Sequence, residues 1–167
     1  MWGTVIAVLG TLAGVALASA AQVRSERRTR REQQRDALSS AVEQVLGALE
    51  TYRELHWLLI ADTRAGDEDT REARAARYRA RTEVTRARDR LALLTDDPAL
   101  TAAADAAVEE AIRLSYISVG RAIDGRFADH VEADLAAGRR STKEAHNVLR
   151  RAATDHVHRR GPRRGRA

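Results

Sequence analysis

Residues Leu93–Leu100, "LLTDDPAL", contain the clearest helix boundary in the chain. Asp97 is a residue type that caps helix N-termini, and Pro98 suits the first helical position because its missing N–H has no intrahelical partner there. We therefore expect one helix to end before Asp97 and the next to begin at Pro98. Helices joined by so short a connection pack as neighbours, which predicts an antiparallel helical hairpin or small bundle.

Two helices are predicted upstream of this boundary. In the first, large side chains alternate in steps of four and three, the seam of a packed or coiled-coil helix, and "RAGDEDT" around Gly66 ends it. Its seam residues are Leu38, Val42, Val45, Leu49, Tyr52, His56 and Leu59. Asp69 followed by Glu72 resembles a capping box and starts the second helix. The apolar positions of that helix are Ala73, Ala80, Val84, Ala87, Leu91 and Leu94.

Downstream, an alanine-rich third helix is predicted from Pro98 to about Val119. An apolar face then continues at Phe127, Val131 and Leu135 to a stop at Gly138. Ser141 and Glu144 form another capping-box pattern, which predicts a last helix over 139–158. The final stretch, 159–167, has no apolar face and is predicted to be disordered. No strand pattern competes, so the predicted fold class is all-α.

Charge is distributed unevenly along the chain. The formal net charge is +5 overall, with +4 over residues 22–35, −7 over residues 36–138 and +8 over residues 139–167. An acidic middle between two basic stretches points to anionic partners at the two ends. Because only one of the 29 basic residues is a lysine, codon bias accounts for part of the arginine excess. Arginine content alone therefore does not indicate nucleic-acid binding.

Residues Trp2–Ala21 contain no charged side chain. Twenty helical residues span about 30 Å, the hydrocarbon thickness of a bilayer, so we predict that residues 1–23 form a single transmembrane anchor whose helix continues beyond the membrane. A cleaved signal peptide is the alternative, since Ala18-Ser19-Ala20 resembles a cleavage site, and a merely buried helix is a third interpretation. The uncharged start and the arginines that follow the apolar run favour the anchor.

Six arginines form a predicted juxtamembrane collar, residues 24–36. They are Arg24, Arg27, Arg28, Arg30, Arg31 and Arg35. By the positive-inside rule they keep the C-terminal domain in the cytoplasm and the N-terminus outside, which predicts a single-pass protein of the cell membrane. We also expect the collar to contact anionic lipid headgroups.

Small residues form a stripe along the predicted anchor. At about 100° per residue the stripe occupies a sector of about 80°. Its members are Gly3, Ala7, Gly10, Gly14 and Ala18. The G-x-x-x-G spacing of Gly10 and Gly14 permits close helix approach in lipid, so we expect a homo-oligomer held by this stripe. The alternative is that ordinary membrane composition scatters small residues by chance.

The sequence contains no recognisable catalytic or metal-binding motif. It has no phosphate-binding loop, no G-x-S-x-G and no H-E-x-x-H. His156 and His158 point in different directions on a helix and are expected to lie in a solvated tail, and His56 is expected to be a packing residue. We therefore predict no catalytic residues, no metal site, no cofactor, no small-molecule substrate and no enzymatic activity.

The arginine-rich C-terminal end has three interpretations. It could neutralise a nucleic-acid backbone without reading its sequence, bind anionic lipid or an acidic protein, or only keep the chain soluble. The absence of interleaved aromatic residues disfavours base stacking there. The arginines concerned are Arg159, Arg160, Arg163, Arg164 and Arg166.

Three stretches resemble the KilB-like small membrane proteins of actinobacterial plasmids and integrated elements. They are "VIAVLGTLAG" at residues 5–14, His56-Trp57, and "TREARAARYRARTEVTRARDRLALLTDDPALTAAADAA" at residues 70–107. The similarity extends to about Gly120. The resemblance implies a single-span membrane protein that takes part in plasmid transfer or spread between cells and whose overproduction can be harmful. It implies DNA-transfer proteins as partners and carries over no catalytic residue.

These observations leave three function classes. The first is a membrane-anchored structural or interaction protein of plasmid DNA transfer, and the second is a membrane-tethered nucleic-acid-binding module without sequence specificity. The third, an exported helical protein, requires cleavage of a signal peptide. The predicted organisation is an anchor at 1–23, a collar at 24–36, a helical hairpin or bundle at 37–138, a C-terminal helix at 139–158 and a basic tail at 159–167.

Overall fold

A computed structural model describes the backbone of residues 2–159 and the side chains of residues 22–156. Within that range the chain forms four α-helices and no β-strand, which confirms the predicted all-α class. The helices are α1 (Trp2–Ala65), α2 (Arg71–Leu94), α3 (Pro98–Leu114) and α4 (Asp129–Arg159). The chain divides into two compact units, residues 1–37 and residues 38–167.

The junction between α2 and α3 has the predicted capping geometry. Asp97 Oδ1 accepts hydrogen bonds from the backbone N–H groups of Ala99 at 3.0 Å and Leu100 at 3.4 Å. Pro98 is the first residue of α3. The predicted boundary is confirmed, and the capped turn reverses the chain between two helices that contact each other.

The end of α1 is also where the sequence predicts it. Gly66 has a φ of +87°, a conformation that favours glycine. The N–H of Asp67 donates to the carbonyl of Asp62 at 2.9 Å, and the N–H of Gly66 donates to the carbonyl of Thr63 at 3.3 Å. This pair of bonds is a Schellman motif, which satisfies carbonyls that the helix end leaves free.

The main core of the second unit surrounds α3. The buried residues of α3 are Leu100, Ala103, Ala104, Ala107, Val108, Ala111 and Leu114. Four of these seven side chains are alanine methyl groups, so neighbouring helices approach the α3 backbone closely.

The apolar face of α1 differs in period from the predicted seam. Its buried residues are Leu38, Ala41, Val45, Leu49, Tyr52, His56 and Ile60. Val42 and Leu59, both predicted seam members, are only half-buried. The buried positions follow an 11-residue repeat from Leu38 through Leu49 to Ile60, about 3.67 residues per turn. The heptad of a left-handed coiled coil is therefore not the pattern that packs here.

The predicted capping box at the start of α2 is wrong by one residue. Thr70 is the N-cap, and its hydroxyl oxygen accepts from the N–H of Ala73 at 3.1 Å. The carboxylate of Asp69 instead pairs with Arg77, and also with Arg74 at 3.2 Å. A carboxylate with two guanidinium partners on the following turns has stronger interactions there than a single backbone N–H would offer.

The predicted stop at Gly138 and restart at Ser141 are wrong, because α4 continues without a break from Asp129 to Arg159. Gly138 serves close packing instead. A Cβ atom at this position would lie 2.7 Å from Leu114 Cδ1 and 3.4 Å from Ile117 Cδ1. The glycine therefore marks the place where α4 meets the end of α3.

The connection from α3 to α4 begins earlier than predicted, since α3 ends at Leu114 rather than near Val119. Within it, Ile123 and Arg126 exchange backbone hydrogen bonds of 2.8 and 3.0 Å across Asp124-Gly125. Both turn residues have positive φ, 50° and 73°, and Asp-Gly is a pair favoured in such turns. After this turn, a second apolar cluster forms from Ile60, Phe127, Val131 and Leu135.

Replacing Gly138 and Gly47 with alanine separates packing from helix propensity. Both glycines lie inside helices, where alanine is favoured by about 1 kcal/mol, but nothing lies within 4 Å of a Cβ at Gly47. Overpacking at Gly138 costs about 1–3 kcal/mol. We expect Gly47→Ala to raise the free energy of unfolding. The free energy of unfolding of Gly138→Ala should be lower than that of Gly47→Ala by about the overpacking cost. Chemical denaturation of the full chain in detergent measures both values. Equal gains in both variants would contradict the close contact.

Candidate anionic-ligand surfaces

The collar is a helical segment of the first unit in which every residue from Gln22 to Asp36 is exposed. No proline or glycine interrupts it, and α1 runs through it without a break. Its six predicted arginines are therefore presented on a regular helix, and their angular positions follow from the helix period.

The basic charge of the collar is one-sided. At about 100° per residue, five of the six arginines lie within a sector of about 100°. They are Arg24, Arg27, Arg28, Arg31 and Arg35, whereas Arg30 lies outside the sector. The acidic residues Glu26, Glu32 and Asp36 occupy a separate sector of about 120°. On that second side, Gln22 Nε2 donates to Glu26 Oε1 at 3.2 Å. A helix with one cationic face is suited to an extended anionic surface.

The other predicted site residues lie outside the residues whose side chains are described. These are the small-residue stripe, Gly3, Ala7, Gly10, Gly14 and Ala18, and the tail arginines, Arg159, Arg160, Arg163, Arg164 and Arg166. Most of the predicted anchor, residues 1–23, lies outside that range as well. The roles predicted for the small-residue stripe and the tail arginines stay predictions.

In the part of the chain that the structure describes, no helix combines the length and the apolar character needed to cross a bilayer.

His156 is a structural residue that sequence reasoning misplaced. It is 3% exposed, and its Nδ1 lies 2.7 Å from Asp97 Oδ2. The hydrogen bond from His156 holds the pKa of the Asp97 carboxyl below its usual range. The interpretation as a solvated tail is wrong because the partner of His156 belongs to the N-cap of α3, far away in sequence. The contact ties the last turns of α4 to the start of α3.

His56 is buried, as its position in the predicted seam indicates, and is 5% exposed. Burial lowers its pKa, hydrogen bonding to the backbone carbonyl of Leu114 opposes that shift, and the positive charge of Arg77 lowers the pKa further. Its Nε2 atom has no hydrogen-bond partner. Burial in the folded chain therefore favours the neutral form of His56, which carries a polar atom without a partner.

No group of three or more histidine, aspartate or glutamate side chains in the described part of the chain is placed to hold a metal ion. Among the histidines whose side chains the structure describes, His146 is the other one with a shifted pKa. Burial and the nearby charge of Arg53 lower that pKa, against an opposing effect of Glu50.

The model of the KilB plasmid transfer protein family matches residues 39–157. The chain belongs to this family. The protein called Protein KilB from Streptomyces lividans is 38% identical over 84 residues, which make up 49% of this chain and 57% of that protein. The chain thus matches little more than half the length of that relative. No solved structure matches the chain.

The KilB match coincides with the second unit. The matched residues, 39–157, fall within the unit formed by residues 38–167, whereas the collar precedes them. The KilB family match therefore covers most of the helical bundle, residues 38–167, and the collar lies outside the matched stretch.

Because His56 is buried in this KilB-family bundle, we predict that the stability of the bundle depends on pH. Since burial lowers the pKa of His56 below its ordinary value of about 6.5 only in the folded chain, the unfolded chain takes up more protons as the pH falls through that value. The stabilising contribution of the neutral His56 is complete above a pH of about 6.5 and is lost as the pH falls below it. We expect the free energy of unfolding to decrease between pH 7.5 and 5.5, and His56→Gln to reduce the decrease.

His130→Gln is the matched control, because His130 is exposed. It should leave the pH dependence of the wild-type chain unchanged. The half-buried His146, whose pKa is lowered too, should account for part of the dependence that survives in His56→Gln. A His56→Gln variant with the full wild-type dependence would show that His56 is not held neutral by the fold.

Proposed function

We propose that this chain is a membrane-anchored helical interaction protein that takes part in plasmid transfer or spread between cells. Membership of the KilB plasmid transfer family supports the process. The uncharged stretch Trp2–Ala21 and the basic collar that follows it support the anchor. In this proposal the bundle faces the cytoplasm and contacts proteins of the DNA-transfer apparatus, and it performs no catalysis itself.

The observation that carries the membrane assignment is the cluster of collar arginines directly after the uncharged stretch Trp2–Ala21. Arginines near an anionic membrane surface contribute about 1 kcal/mol each. For a helix along the bilayer normal, Arg24 and Arg31 are about 10 Å apart along the axis, comparable with the Debye length of about 8 Å at physiological ionic strength. Arg35 lies about 16 Å from Arg24 and contributes less. The collar therefore acts mainly through its first two turns.

The acidic stretch of residues 36–138 gives the proposal its polarity. Its net charge of −7 disfavours adsorption of that stretch on an anionic lipid surface. The collar attracts such a surface, whereas the acidic stretch avoids it. The acidic stretch is thereby left available for protein partners.

Single-cysteine labelling tests the topology, and the chain is suited to it because it contains no cysteine. Thr4→Cys reports the predicted outer end of the anchor, and Ala92→Cys reports an exposed position on α2. We expect a membrane-impermeant maleimide to label only Thr4→Cys in intact cells and to label both variants after permeabilisation. Labelling of Ala92→Cys in intact cells, or recovery of the chain in the soluble fraction, would contradict the proposal.

The contribution of the collar is measured in the Thr4→Cys background. Replacing Arg24, Arg27, Arg28 and Arg31 together with glutamine should reduce the fraction of Thr4→Cys that is labelled in intact cells, because four of the six arginines that set orientation are gone. Replacing Glu26 and Glu32 with glutamine changes the opposite side of the same helix and should leave labelling unchanged. Equal labelling in all three proteins would show that the arginines do not set the orientation.

A further inference from the structure

A cavity of about 330 Å³ opens in the second unit between the C-terminal part of α1, the start of α2 and the end of α3. Its lining includes His56, Asp69, three arginines of α2 and Tyr116. This volume is at the lower end of the range found for small-ligand pockets. Nothing in the function proposed above uses this cavity.

The three arginines project from one side of α2. Arg74, Arg77 and Arg81 follow a spacing of three and four residues, which places them within a sector of about 60°. A single carboxylate, that of Asp69, faces them, and it pairs with Arg74 and Arg77. Arg81 donates through Nη2 to the hydroxyl oxygen of Tyr116 at 3.3 Å. With one carboxylate against three guanidinium groups, the lining is cationic and favours an anion.

Two acceptor atoms of residues that line the cavity lack hydrogen-bond partners. One is Nε2 of His56, a residue that is only 5% exposed, and the other is Oδ1 of Asp69. Buried polar atoms are normally satisfied, so these two call for a partner that the chain itself does not provide. A neutral imidazole that donates through one nitrogen accepts at the other. The cavity therefore offers acceptors for ligand hydroxyl groups beside donors for a ligand anion.

Two tyrosines lie in the wall of the same cavity with most of their surface exposed. Tyr78 is 64% exposed and Tyr116 is 68% exposed. Exposed aromatic rings beside arginines are the combination on which nucleic-acid bases stack. Donors for an anion, acceptors for hydroxyl groups and aromatic faces match the phosphate, sugar and base of one nucleotide.

We propose that this cavity binds a nucleotide, with the phosphate on Arg74, Arg77 and Arg81, sugar hydroxyls toward His56 and Asp69, and the base against Tyr116. The nucleotide is either free in solution or part of a single RNA strand, since both present a phosphate, a base and a 2′-hydroxyl group. The site lies in the bundle and does not depend on the membrane anchor.

Calorimetric titration of the full chain in detergent micelles tests the proposal with inorganic phosphate and adenosine monophosphate as probes. We expect one nucleotide per chain, bound more tightly than inorganic phosphate. Arg81→Gln should weaken binding about tenfold or more, the loss expected for a charged hydrogen bond. Arg81 is chosen because Asp69 pairs with the other two arginines, and unchanged circular dichroism of the variant will show that it folds.

Arg79→Gln is the matched control, since Arg79 is exposed on the same helix about 160° away from Arg81. It should bind the nucleotide like the wild-type chain. Tyr116→Leu should bring nucleotide affinity down to that of inorganic phosphate, whereas Tyr116→Phe should retain most of it. Absence of nucleotide binding, equal losses in Arg79→Gln and Arg81→Gln, or no effect of Tyr116→Leu would each overturn the proposal.

A short single-stranded oligoribonucleotide distinguishes the two sources of the nucleotide. If the oligonucleotide displaces adenosine monophosphate and its own binding is weakened by Arg81→Gln, the site holds a nucleotide within a strand. If it does not displace the mononucleotide, the site holds a free nucleotide. Both results support the cavity as a nucleotide site, because each requires that the mononucleotide binds and depends on Arg81.

Discussion

Close approach of helices around the alanine-rich α3 is the constraint on which the bundle depends. Four of the seven buried side chains of α3 are alanines, and Gly138 of α4 leaves room for the buried Leu114 side chain. Helices that pack so closely gain many small contacts and leave little space for aromatic rings. This agrees with an aromatic content of only 4% and places the larger side chains on the surrounding helices.

Polar contacts between distant residues join the helices around that core. His156 bonds to Asp97, Arg64 pairs with Glu132, and Arg139 lies over the ring of Trp57 at 4.4 Å from its centroid. Each contact joins different helices, so these interactions specify which helices are neighbours. The alanine core gives little such specificity, because its small side chains resemble one another at every turn. Packing sets the spacing of the helices, and polar contacts help to select the arrangement.

Local signals in the sequence predict much of this fold. The Asp97-Pro98 cap, the glycine that ends α1 and the apolar periodicity of α2 depend on residues within a few positions of one another, so the sequence is sufficient for them. Gly138 and His156 were misinterpreted because their partners, Leu114 and Asp97, are close only in the folded chain. Glycine in a sequence indicates a helix end as readily as a close contact, and only the packing of α4 against α3 distinguishes the two.

The same distinction applies to the candidate sites. The arginines of the collar are adjacent in sequence, and their one-sided distribution follows from the helix period alone. The cavity could not be found in this way, because His56, Asp69 and Tyr116 come from three segments that meet only in the bundle. The spacing of Arg74, Arg77 and Arg81 was a local signal for part of it. In an arginine-rich chain such spacing is common. It indicates a binding site only together with the buried Nε2 atom of His56, which has no hydrogen-bond partner.

If the bundle works at the membrane surface as we propose, its proposed role in plasmid transfer requires a tether but not a particular tether sequence. The most direct measurement is plasmid spread in matings of a donor from which this gene has been deleted. The donor is complemented with the full chain, with residues 38–167 alone, or with residues 38–167 joined to an unrelated single-span helix and basic collar. We predict that the full chain and the chimaera restore spread and that residues 38–167 alone do not. Restoration by the untethered bundle, or failure of a chimaera present in the membrane at the level of the full chain, would contradict a role that depends on membrane anchoring.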